Sequence, residues 1–226
     1  MKNSVKIIKL ELVQGLFNSS DIPRFRQYLA EKFPNYDHIH NHLENGKFRY
    51  VYPDIQFKII NKIPMIIGFG DGIEILKDVF LKVDEMKILN KNISIFEKSI
   101  KISESKIGIS DEIIVYKFLS PWMALNQQNY ELYKKLSLRK RVIKLDRILW
   151  GNLKTVSHAF DYWILDPDKI STEGDLKLHI NKFKGNTMIT FTGKFKTNFH
   201  IPDYLGIGKQ VARGFGSVVK IHGGEG

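Results

Sequence analysis

Between Val5 and Val83 the hydrophobic pattern changes period repeatedly, and few folds accommodate the resulting order of elements. Residues 5–13 (VKIIKLELV) alternate apolar with polar, the period of a strand with one buried face. Ser19, Ser20 and Asp21 ahead of Pro23 predict a helix start, with the helix running to about Phe33. FRYVYPDIQFKII and KIPMIIGFG then form two β-rich runs around Asn61-Lys62, a pair suited to a tight hairpin that Asp71-Gly72 closes. Ile73, Ile75, Leu76, Val79, Phe80 and Val83 recur at helical spacing, after which NISIFEKSIKI and SKIGIS return to strand character. The order β-α-β-β-α-β predicts a ferredoxin-like split unit, an α+β sheet with helices on one face, over residues 1–110.

The rest of the chain, 111–226, reads as a second sheet unit. Pro121 interrupts a strand, and a long helical stretch from about Asn126 to Phe160 breaks near Ser137. In its second half, LRKRVIKLDRILWGNLKTV, the residues Leu138, Val142, Leu145, Leu149, Leu153 and Val156 fall on one face, while Lys140, Lys144 and Arg147 form a basic stripe on another. DLKLHINKFKGNTMITFTGKFKTNF predicts a hairpin turning at Gly185-Asn186, and GFGSVVKI a last strand. A chain of 226 residues has room for two such cores.

Charge narrows the partners. The formal net charge is +11, so a polyanion is the natural ligand, with nucleic acid ahead of anionic membrane. No apolar run approaches the roughly 20 residues of a membrane span, and MKNSVKIIKLELV is too short and too polar for a signal peptide. A cytoplasmic protein with no membrane partner is the expectation. With no cysteine, disulfides, thiolate metal sites and thiol nucleophiles are excluded, and catalysis has to rest on His, Tyr, Lys, Ser or carboxylates.

Two segments carry the motifs. In LGIGKQVARGFGSVVKI, Gly206 and Gly208 precede Lys209 and Arg213, and Gly214 and Gly216 follow. Glycine pairs let backbone amides approach a phosphate, and the two cations add counter-charge, a grip suited to an RNA backbone. It is no P-loop, since Gln210 follows Lys209, and no dinucleotide fingerprint, since Val211 stands where a third glycine belongs. A plain glycine-rich turn before a strand explains the spacing equally well. In NYDHIHNHLENGKFRYVYPDIQFK, His38, His40 and His42 alternate ahead of a Lys, Arg and Tyr cluster. An extended segment would bring the three to one face, whereas a helical turn would pair His38 with His42 and set His40 aside. These histidines fit an acid/base catalyst, a metal site or a polar loop. Zinc is disfavoured because Asn41 occupies the place where a binuclear hydrolase motif carries Asp. We therefore expect neither metal nor cofactor.

The eleven positions from Gly206 to Gly216 closely resemble the C-terminal glycine-rich signature of the CRISPR-associated repeat-processing endoribonucleases of the RAMP superfamily. HNHLENGKFRYVYPDIQFKII followed by IIGFGDG resembles the N-terminal region of one branch of that family. The resemblance implies tandem ferredoxin-like (RRM-like) domains, binding of CRISPR repeat RNA in precursor transcripts, and metal-independent cleavage within the repeat. Such cleavage uses the 2′-OH as nucleophile and leaves a 2′,3′-cyclic phosphate and a 5′-OH. It needs a base, an acid and a group stabilising the phosphoryl oxygens. The family's catalytic histidine lies in this region, which makes His40 the first candidate and His38 the second, with Lys47 and Tyr50 as phosphate stabiliser or second proton donor.

Arg139, Lys140, Arg141, Lys144 and Arg147 join the glycine-rich segment as candidate RNA contacts. Tyr50, Tyr52 and Phe57 could stack bases, although strand aromatics are more often core. The alternative function is a non-catalytic RNA-binding subunit of a CRISPR interference complex, and the chain is expected as a monomer or homodimer.

Overall fold

The computed structural model describes residues 4–12, 17–40, 52–88, 91–183 and 186–221. The chain forms two compact units. One comprises Val5–Ser105 and takes in Val211–Gly214; the other is built from Lys106–Gln210 and Phe215–Gly226.

In the first unit β1 (Ser4–Leu12) leads to α1 (Ile22–Lys32) and a single helical turn, α2 (Asp37–His40). The hairpin β2 (Ile55–Ile60) and β3 (Ile63–Phe69) is followed by α3 (Gly72–Lys82), a short hairpin of β4 (Glu85–Ile88) and β5 (Lys91–Ser94), and β6 (Lys98–Lys106). The four-stranded sheet runs β2-β3-β1-β6, the ferredoxin-like order. Its register follows from the turn: Ile60 pairs with Ile63, and Asn61 and Lys62 between them both take positive φ, as a two-residue hairpin matched to strand twist requires. Asp71 stands at the junction of β3 and α3, and Gly72 is the first residue of the helix.

Strand alternation sorts the residues of β2 by face. Ile55, Phe57 and Ile59 belong to the core, together with Ile8, Leu10 and Leu12 of β1 and Phe25, Leu29, Leu76 and Val79 of the helices. Phe25 meets Phe57 edge-on at 5.4 Å. Phe57 is thus a core residue, not a stacking platform. The β4–β5 hairpin is an insertion: Asn92–Ser94 of β5 fall in the NISIFEKSIKI run of strand character, whereas β4 has four residues, too few to show a period.

The second unit repeats the topology with one element changed. β7 (Gly108–Phe118), α4 (Gln127–Lys134), α5 (Leu138–Ala159), β8 (Thr172–Phe183), β9 (Asn186–His200) and β10 (Val218–Lys220) form a sheet of order β10-β7-β9-β8. Where a ferredoxin-like unit has its second helix, between β9 and β10, this one has the glycine-rich stretch and a 3-10 turn, Val211–Arg213. Leu145, Leu149, Leu153 and Val156 of α5 are buried, and the core adds Tyr116, Phe118, Trp122, Phe191, Phe195 and Phe199. Leu138 and Val142 are exposed instead, so the first turns of α5 depart from the expected apolar face. No helix among the described residues is long and apolar enough to cross a membrane.

Candidate functional site

The histidine segment begins where α1 ends, and its backbone is fixed by apolar and aromatic contacts. Phe33 and Tyr36 stack at 6.0 Å, and the Tyr36 hydroxyl donates to the Asp78 carboxylate of α3 at 2.7 Å. Ile39 is buried in the core and pins α2, while His38 beside it is only half-buried. Because residues 37–40 are helical, the extended arrangement of alternating histidines does not apply here. The His40 side chain, and Lys47 and Tyr50 entirely, lie outside the described residues.

His38 Nδ1 is hydrogen-bonded to the Asp54 carboxylate. Asp54 sits just before β2, and its carbonyl accepts from the Phe69 amide at 3.0 Å, which fixes the backbone that presents the carboxylate. An imidazole oriented through Nδ1 by a carboxylate presents Nε2 as the nitrogen for proton exchange.

Arg26 ties α1 to this turn. Its Nε donates to the Ile39 carbonyl at 2.9 Å. Burial and, second, the charge of Arg213 hold its guanidinium down to about 10, so it stays protonated at neutral pH. Two mutually repelling guanidiniums favour an anion bound near both. Arg213 ends the turn Val211–Arg213, which packs beside β2 within the first unit. Gly214, at φ +88°, makes that seat possible: a Cβ there would stand 2.4 Å from Ile22 Cδ1. Gly216, at φ +67°, is under a stricter demand, since a Cβ would lie 1.9 Å from the Ile207 carbonyl oxygen.

The remaining residues of the glycine-rich segment serve its shape. The amide of Gly214 donates to Val211 O at 3.2 Å, that of Gly216 to Pro121 O at 2.9 Å and that of Lys209 to Met123 O at 3.1 Å. Gly206 bridges Ser217, and Gly208 lies against Trp122, whose indole N–H donates to Asn152 at 3.0 Å. What the segment delivers to the histidine turn is Arg213.

On α5, Arg139, Lys140 and Arg147 are exposed, and Lys144 is half-buried. Arg141 has a structural duty: it donates to the carbonyls of Tyr133 at 3.3 Å and Lys134 at 2.7 Å, satisfying the end of α4.

Three side chains escaped the sequence reading. Asp54 and Arg26 have no motif of their own and matter only through partners distant in sequence. The third is Lys58, fully buried on the face of β2 opposite Phe57, where its ammonium donates to Gln56 Oε1 at 3.2 Å. Burial lowers it to about 7. Gln56 in turn donates to Pro53 O at 3.2 Å, so a buried polar chain runs along β2 toward Asp54. Among the described residues no three His, Asp or Glu side chains gather as metal ligands would.

Comparison with known proteins identifies the family of the chain. The Cas6b N-terminal domain family matches residues 3–106, and the Cas6b C-terminal domain family residues 108–221. An uncharacterised protein of Methanocaldococcus jannaschii is 35% identical over 144 residues, 64% of this chain and 97% of its own. Among solved structures, one described as Cas6b superposes with a TM-score of 0.90 at 39% identity, covering 96% of this chain and all of the other. Another, described as the CRISPR RNA processing endoribonuclease Cas6b, gives 0.78 at 35%, with the same coverage. Thermus thermophilus Cas6, at 12% identity, 96% and 98% coverage and TM-score 0.53, shares the fold. The two domain matches together span nearly the whole sequence, and the chain belongs to the Cas6b family.

Proposed function

We propose that this protein is an endoribonuclease that cuts CRISPR repeat RNA in precursor transcripts to release mature crRNA, using its own side chains and no metal. The observation that carries the reading is that, within the first unit, Arg26, under the charge of Arg213, is tied to the carbonyl of Ile39 in the same turn that bears the Asp54-oriented His38. Membership of the Cas6b family, and a relative of solved structure at 35% identity that is described as a CRISPR RNA processing endoribonuclease, support it.

In the proposed reaction the ribose 2′ oxygen attacks the adjacent phosphorus while a histidine takes its proton. The P–O5′ bond breaks, a second group protonates the departing 5′ oxygen, and the products are a 2′,3′-cyclic phosphate and a 5′-OH. His38 and His40 are the pair that divides acid and base; Arg26 and Arg213 hold the phosphate, with Lys47 and Tyr50 as further candidates for stabilising its oxygens. Gly206, Gly208, Gly214 and Gly216 shape the segment bearing Lys209 and Arg213, and Arg139, Lys140, Lys144 and Arg147 supply a second basic surface for RNA.

Single-turnover cleavage of a repeat RNA in excess EDTA tests this, with and without a 2′-deoxy nucleotide 5′ of the cut. The proposal expects cleavage in EDTA, a cyclic phosphate end, and no cleavage of the deoxy substrate. Cleavage of the deoxy substrate, or activity abolished by EDTA, would overturn it. Binding without cleavage would favour the non-catalytic RNA-binding subunit.

A further inference from the structure

The C-terminal end of α5 carries an exposed aromatic pair that the cleavage reaction leaves without a role. Asp161, at φ +55°, reverses the chain after the helix, and the Tyr162 amide donates back to Ser157 O at 2.9 Å. The two residues that follow part company. Tyr162 turns inward, its hydroxyl accepting from the Ile109 amide at 3.1 Å and its ring meeting Phe199 edge-on. Trp163 turns outward and packs against His158, the ring centroids 4.4 Å apart and the planes tilted by 35°, yet 59% of its surface stays exposed. A large aromatic ring that is already positioned, and left more than half in water, costs little to order when a planar ligand arrives.

The surroundings indicate which ligand. Lys140, Arg147 and Lys154 recur every seven residues along α5, a spacing that keeps them on the side of the helix where His158 emerges. Lys154 also lies over the Trp150 ring at 5.9 Å. Carboxylates flank Trp163 along the chain, with Asp161, Asp166 and Asp168 exposed, and Lys169 follows them. The cationic track thus spans about 21 Å of helix from Lys140 to Lys154 and leads to the aromatic pair. Cations for phosphates followed by a flat ring for a base is the arrangement that holds an unpaired nucleotide strand.

We propose that Trp163, backed by His158, stacks an unpaired base of the bound RNA whose phosphates run along α5, so that this surface holds a single-stranded tract. This deepens the reading of the protein as an RNA-processing enzyme and rests on it. The test compares equilibrium binding of a repeat RNA by wild type, Trp163→Ala and Trp163→Phe at several salt concentrations. A companion series places an abasic nucleotide at each unpaired position of the RNA and uses the wild-type protein, so it does not depend on a variant's folding. Stacking predicts binding about ten-fold weaker in the alanine variant, within about two-fold of wild type in the phenylalanine variant, and an unchanged salt slope, since no phosphate contact is lost. One abasic position should weaken wild-type binding by a similar factor and leave the alanine variant indifferent. Equal affinity of Trp163→Ala and wild type for RNA, or no sensitive abasic position, would overturn the stacking site while leaving RNA processing standing. A wild-type protein that does not bind repeat RNA would overturn both.

Discussion

Two residues show how much environment changes what a side chain can do. His38 acquires an orientation from Asp54, sixteen positions on, and both belong to a turn and a strand end that are fixed by core residues, Ile39 and the β2–β3 pairing. Lys58 acquires a depressed affinity for protons from burial, reaching about 7 with a glutamine as its hydrogen-bond partner. In the unfolded chain a lysine titrates near its ordinary value of 10.5. Between 7 and 10.5 the unfolded chain therefore binds a proton that the folded one has released, so stability rises with pH through that window, and below it this group contributes no slope. Lys58→Met, close in shape, should be more stable than wild type at pH 7, with the gap narrowing by up to about 1.4 kcal/mol per pH unit on going to pH 9. Urea unfolding of both proteins across that range checks this, and parallel curves would mean that Lys58 is already solvated. The residue scale is where the sequence was least legible. A carboxylate before a strand and an arginine set among the buried positions of α1 carry no signature until their partners are known.

At the scale of elements the reading succeeded where a local pattern exists. Asn61-Lys62 lies between runs of strand character and became a positive-φ turn; Ser137 separates α4 from α5; and the spacing of Leu145, Leu149, Leu153 and Val156 became the buried face. It failed for β4, which has too few residues to show alternation, and so for the hairpin it makes with β5, and for Leu138 and Val142, whose spacing continues the apolar face into turns where both are exposed. The glycine-rich segment lies between these cases. Its motif is visible in sequence, but its physical reason is not: two of its glycines answer to contacts with Ile22 and Ile207. Gly216→Ala should accordingly cost at least about 2 kcal/mol, combining a positive φ with overlap on a carbonyl. Gly151→Ala, inside α5 with open space around its would-be Cβ, should stabilise by about 0.5–1 kcal/mol. Denaturant midpoints of the two variants make the comparison, and opposite signs are expected.

For the molecule as a whole, topology does what composition cannot. A net charge of +11 says only that a polyanion is a suitable partner. The ferredoxin-like order of the first unit brings the end of α1 and the start of β2 together at α2, and the turn Val211–Arg213, from near the other end of the chain, joins that unit through β2. This long-range meeting was readable neither from spacing nor from the family resemblance, which implied the folds and the activity but not which segments come together. Since Arg213 is read as a phosphate contact, Arg213→Ala should weaken RNA binding and reduce the steepness of its salt dependence by about one unit. Titrations from 50 to 300 mM salt, about the range over which such slopes are read, would show this, and an unchanged slope would remove Arg213 from the interface. We propose above all that the Asp54-oriented His38 takes part in the chemistry. The measurement that tests it most directly is single-turnover cleavage by His38→Ala at saturating repeat RNA, with affinity measured in parallel. His38→Ala should bind within about two-fold of wild type and cleave slower by about 100-fold or more, the usual worth of a general acid or base. A variant that binds and cuts like wild type would contradict it.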